Sequence, residues 1–203
     1  MKKITISFKK TIMIVILLGP PGSGKGTQAA FIQKKLNIPH LSTGDILRKA
    51  IKDGTELGNI VKKIMANGEL VSDEIVLNVI RDRIILSDCK SGFILDGYPR
   101  NVKQAESLNI VLDEINKKIN KIILLDVNFD SLKSRILNRN KENSNENRED
   151  DTSEVLIKRV EEYKKQTAPL EAYYRDNKDF NKINGMESIS NVSLNIEKFL
   201  RYS

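Results

Sequence analysis

Cysteine is almost missing from this chain: Cys89, in "SDCKSG", is the one thiol among 203 residues. A lone cysteine excludes an intramolecular disulfide and a zinc site built on several cysteines, and it suits a reducing compartment. We read it as an inert loop residue. Tryptophan is absent and aromatic residues make up only 5% of the chain, so a platform for stacking bases is poorly supplied. Histidine also occurs once, as His40 beside Pro39 at the start of a short strand, and a structural role is expected for it. No run reaches the ~18 apolar residues of a membrane span. The opening "MKKITISFKKTIMIVILLG" pairs basic residues with an apolar run, as a signal peptide does. That run passes straight into a glycine-rich loop with no small-residue cleavage site between them, and cleavage there would delete a core strand. The expectation is a cytoplasmic protein with residues 1–12 as an N-terminal extension, Met13 as a candidate start, and 13–203 as a single domain.

What is plentiful is charge. The net charge is +7 and charged residues are 30% of the total. A basic balance admits nucleic acid, acidic membranes or phosphorylated small molecules as partners. The lysines and arginines are scattered, however, so the charge reads as compositional bias rather than a binding stripe. Neither a nucleic acid nor a membrane is expected as a partner.

Short apolar runs at 14–18, 93–96, 121–127 and 180–184 alternate with helical patterns at 27–35, 72–84, 131–139 and 153–166. That alternation predicts an α/β fold, a parallel sheet wrapped by helices, which binds ligands at the carboxyl ends of its strands. The segment "NRNKENSNENREDD" (138–151) has nothing to bury and reads as a solvated loop or a mobile flap.

The glycine loop follows the first apolar run, in "ILLGPPGSGKGTQAAFI". Gly19, Gly24 and Lys25 satisfy G-x-x-x-x-G-K between a strand and a helix. Glycines let successive N–H groups point inward around phosphate oxygens, and the helix that follows adds the positive end of its dipole. Lys25 supplies a compact positive charge for the β/γ-phosphates. Gly26 stands where Ser or Thr usually follows the lysine, with Thr27 one place later. The loop is therefore expected to bind nucleotide phosphates without the usual direct magnesium ligand.

"GPPGSGKGTQ", "LSTGDILR", "GELVSDE" and "ILDGYPRNVKQ" occur in this order, and together they resemble the nucleoside monophosphate kinases, most closely the adenylate kinases, over about residues 13–200. The resemblance implies a P-loop NTPase-like parallel sheet of five strands flanked by helices. It also implies an inserted NMP-binding lobe at 42–71 and a short lid at 138–151. The implied reaction is reversible phosphoryl transfer from MgATP to AMP, giving two ADP. Gly22, Ser23, Gly24, Lys25, Gly26 and Thr27 would hold the ATP phosphates. Arg135 and Arg139, four apart on one helical face, would stack on the ATP base and contact phosphate, with Glu187 in "NGMES" near the adenine. On the AMP side the resemblance implies Thr43, Arg48, Glu69, Leu70 and Val71, then Gly97, Tyr98, Pro99 and Arg100. Arg148 and Arg159 would close over the transferring group. Lys25, Arg100, Arg139, Arg148 and Arg159 form the implied catalytic set.

Asp96 would orient Mg²⁺ through water, and no zinc is expected in a lid without cysteines. Bidentate guanidinium contacts suit a phosphate better than lysine does. Such transfer is mostly positioning and electrostatics, so no protein base is needed. A UMP/CMP kinase is the nearest alternative. Thr43 and Gln104 argue for AMP, since a glutamine amide can pair bidentately with an adenine edge. A nucleotide-dependent nucleic-acid-binding protein is the other alternative, against which stand the missing N-K-x-D motif and the lack of a basic cluster. The family is commonly monomeric.

Overall fold

The apolar stretch Ile14 to Leu18 is buried throughout and becomes a strand enclosed on both faces. It forms β1 (Met13–Leu18), and the sheet around it is completed by β2 (His40–Ser42), β3 (Gly92–Asp96), β4 (Lys121–Asp126) and β5 (Phe180–Asn184). All pairings are parallel and the order is β2-β3-β1-β4-β5, so β1 is central. This computed structural model describes residues 12–129, 131–132 and 153–201. The expected five-strand parallel sheet is present. β2, the short strand expected at His40, is three residues long, too short to show alternation.

Side chains of β1 point alternately to two apolar layers, as strand geometry requires. Ile14, Ile16 and Leu18 pack with Leu95, Ile80, Leu108 and Leu170 on one face. Val15 and Leu17 pack with Ala29, Ile32, Val192 and Ile196 on the other. Each such side chain contributes about 2 kcal/mol when fully buried. The helices that cover these faces are α1 (Lys25–Leu36), α2 (Thr43–Lys52), α3 (Glu56–Ala66), α4 (Asp73–Ile84) and α5 (Val102–Glu114). Beyond β4 follow α6 (Ser153–Glu162), which runs into a π turn at Tyr163–Thr167, then α7 (Pro169–Tyr174) and α8 (Ile189–Arg201).

The helix starts are chemically marked. Ser42, Thr55, Ser72 and Asn101 each cap a helix by accepting a backbone N–H from Asp45, Gly58, Ile75 and Gln104 respectively. In α4 the buried Val76, Ile80 and Ile84 recur at every fourth residue. α2 and α3, which fill most of the expected lobe at 42–71, cross at Gly58. A Cβ there would stand 2.1 Å from the Ala50 carbonyl oxygen, so only glycine allows so close a crossing. The helical pattern at 131–139 is described only at Ser131 and Leu132, and the lid segment 138–151 lies outside the described residues.

Candidate functional site

At the carboxyl ends of the strands a cleft of about 560 Å³ opens. Its floor is the loop from Gly19 to Thr27. Gly24 is the N-cap of α1 with φ 92°, a left-handed conformation open to glycine, and no side chain caps that helix end. Its first-turn donors are therefore directed to the cleft, with no acidic residue in the first turn to compete. Gly19 has φ 145°, and a Cβ on it would lie 2.8 Å from Ser23 Oγ and 3.1 Å from Leu125 O. Close packing of the loop on β4 thus demands glycine at its start. Lys25 Nζ donates to Gly19 O at 2.7 Å and to Pro20 O at 3.0 Å, which folds the ammonium over the loop. Ser23 is 97% buried, and its hydroxyl has no hydrogen-bond partner among the described residues.

The opposite wall comes from α2 and from the turn after β3. Thr43 is buried, and its hydroxyl donates to Gly97 O at 3.0 Å, tying the two segments together. Arg48 is half-buried and paired with Asp45. Gly44 leaves room for it: a Cβ there would be 3.0 Å from one guanidinium nitrogen. Arg100 Nε donates to Gly97 O at 2.8 Å. Glu69, Leu70, Val71, Gly97, Pro99 and Gln104 also line the cleft, as does Arg159 from α6. α6 reaches that position by lying against Gly68, where an added Cβ would be 3.1 Å from Val155 O and 3.4 Å from Arg159 Cγ.

Asp96 ends β3 between the two walls and is 9% exposed. Burial opposes its ionisation. The His40 hydrogen bond and the charges of Lys25 and His40 outweigh burial, and hold the carboxyl below its ordinary range. His40 Nε2 lies 3.1 Å from Asp96 Oδ2. The sequence reading gave His40 only a structural role. It lines the cleft instead, because β2 pairs with β3 and sets His40 and Ser42 on the side where Asp96 emerges. No spacing in the sequence reveals that register. Among the described residues no three His, Cys, Asp or Glu side chains gather as a metal-binding group. One ionised carboxylate beside a phosphate loop nevertheless suits Mg²⁺, which keeps several waters and takes other oxygens from substrate phosphates.

Two expected contacts are placed differently. Tyr98 has a fully buried side chain that belongs to the core, not to the cleft, and its hydroxyl donates to Gln104 O at 3.1 Å. Its ring is the largest fully buried side chain among the described residues. Glu187 is exposed beyond β5, outside the cleft lining, and accepts from Asn195 Nδ2 at 3.2 Å. The amide of Gln104 is 2% exposed and bonded at both ends, to Arg100 N and to Asp73. Arg135, Arg139 and Arg148 lie outside the described residues. Asp73 was not singled out from the sequence, where it reads only as an acidic residue at a helix start.

A family model described as adenylate kinase matches residues 17–179. Among curated proteins, an adenylate kinase of Leptospira biflexa is 44% identical over 184 residues, covering 91% of this chain and 97% of its own. One from Clostridium botulinum is 42% identical over 212 residues, covering 93% and 98%. One from Brucella suis is 45% identical over 191 residues, covering 93% and 98%.

Proposed function

The chain belongs to the adenylate kinase family, and from that premise we propose how its cleft divides the work between two nucleotides. The enzyme transfers the terminal phosphoryl group of ATP to AMP, giving two ADP. ATP phosphates lie in the loop Gly22–Thr27, with Lys25 on the β/γ oxygens. The AMP phosphate lies between Arg48 and Arg100, and Arg159 approaches from α6. What supports this division is a cleft lined both by the phosphate loop and by a second set of guanidinium groups, those of Arg48, Arg100 and Arg159.

Transfer in this arrangement is a matter of alignment and charge. The loop N–H groups and the start of α1 hold the donor, while the two arginines hold the acceptor oxygen in line. Arg135, Arg139 and Arg148 complete the charge from the lid side, and lid residues 138–151 exclude water from the transferring group. Asp96 would hold the Mg²⁺ that arrives with ATP, through water, and the ion would supply neutralisation of the phosphate charge. His40 keeps that carboxylate turned toward the loop. Gln104 reads the adenine of AMP, with Thr43 and Leu70–Val71 around the base. A backbone contact near Glu187 serves the ATP base. We take the protein to act as a monomer in the cytoplasm, without zinc, with ATP, AMP and ADP as its partners.

The test is a coupled assay. ADP is expected from MgATP only when AMP is added, with kcat/KM for AMP well above those for CMP and UMP. ATP turnover independent of AMP, or a preference for CMP, overturns the reading.

A further inference from the structure

Gln104 is held at every polar atom it has. Its backbone N–H donates to Asn101 Oδ1 at 2.8 Å, and its carbonyl accepts from the Tyr98 hydroxyl at 3.1 Å. Its side-chain Oε1 accepts from Arg100 N at 2.7 Å, and Nε2 donates to Asp73 Oδ1 at 2.7 Å. Asp73 Oδ1 also accepts from Asn101 Nδ2 at 3.0 Å. The orientation of this amide is fixed by chemistry. A backbone N–H can only donate and a carboxylate can only accept. Turning the amide over would set oxygen against carboxylate and NH₂ against N–H.

We propose that Asp73 is a positioning residue that sets the polarity of the Gln104 amide, and so decides between monophosphates whose base edges are donor–acceptor mirror images. The inference rests on a purine monophosphate occupying the Arg48–Arg100 side of the cleft. With one lone pair and one hydrogen committed to the protein, Gln104 retains one acceptor site on Oε1 and one hydrogen on Nε2. The retained pair fits a base that offers an amine beside an accepting ring nitrogen, as adenine does. Hypoxanthine and uracil offer a carbonyl beside a ring N–H, the reverse order, and a locked amide cannot turn over to meet them. Cytosine has the same order as adenine. Asp73 therefore acts on AMP against IMP and UMP, and leaves AMP against CMP to the size of the pocket.

The experiment compares kcat/KM and calorimetric Kd for AMP, IMP and CMP in wild type and Asp73→Asn. A neutral amide can accept or donate, so part of the lock is lost. Replacing the charged hydrogen bond by a neutral one should raise IMP relative to AMP roughly five- to ten-fold. The CMP to AMP ratio should stay within about two-fold, a selectivity that general loosening of the site would not give. Should Asp73→Asn fail to fold, Asp73→Ser removes the same charge and is judged by the same ratios. An unchanged IMP to AMP ratio, or IMP and CMP rising together, overturns the proposal. Wild type that forms no ADP from AMP overturns instead the function on which it rests.

Discussion

Arg100 makes clear how little of a residue's role its type alone conveys. Its backbone N–H fixes Gln104, its Nε is anchored on Gly97 O, and the residue lines the cleft. Lysine would keep the charge and the backbone bond but lose the fork. Arg100→Lys is expected to fold normally and to lose roughly 10²-fold in kcat, a loss typical of removing one preorganised transition-state donor. Steady-state kinetics beside a thermal melt separates the two effects. Cys89 shows the opposite case, a reactive group made inert. It is fully buried, and desolvation pushes its thiol from 9.0 up to about 11, against the lowering effect of Arg83. Between those values the unfolded chain releases a proton that the folded chain keeps, so stability falls as pH rises. Melting temperature should decline from pH 9 upward, and Cys89→Ala should remove the part of that decline below pH 10, where the buried tyrosines have yet to contribute. An equally steep decline in the variant would show that the thiol is not its source.

The elements of the second wall owe their placement to small residues. Gly58 lets α3 cross α2 at backbone distance, and Gly68 lets α6 lie on the turn that carries Glu69–Val71. Gly58→Ala forces the crossing apart, and a fall in Tm of roughly 5–10 °C is expected from overpacking of this kind. The KM for AMP should rise with it, because α2 carries Thr43 and Arg48. A melt and a KM within error of wild type would contradict the tight crossing. These elements also mark where sequence was informative. The phosphate loop announces itself because its glycines, lysine and flanking periods are local. The strands around 14–18 and 122–125 are legible because burial on both faces makes them continuously apolar. β2 was legible only as a short strand starting at His40, since three residues cannot display a period or name a partner. His40 beside Asp96, Asp73 beside Gln104, and Tyr98 turned into the core all depend on which strands pair and how helices cross. Those are long-range facts that no residue spacing encodes.

For the whole molecule, the decisive feature is that two walls of opposite construction share one sheet edge. One wall is backbone, a loop and a helix start. The other is side chains: Thr43 and Arg100 meet at Gly97 O, Gln104 is held between Arg100 N and Asp73, and Arg48 is paired with Asp45. The loop springs from β1, which is hydrogen-bonded to β3 on one side and β4 on the other. Neither neighbour can leave without breaking a full ladder, so the amides of Ile14–Leu18 can meet solvent deuterium only when the entire domain opens. The edge pairs at β2 and β5 carry no such constraint. Isotope uptake should therefore be slowest beneath the loop and faster toward both rims, so that the seat of the donor phosphates is the last part of the protein to lose its shape.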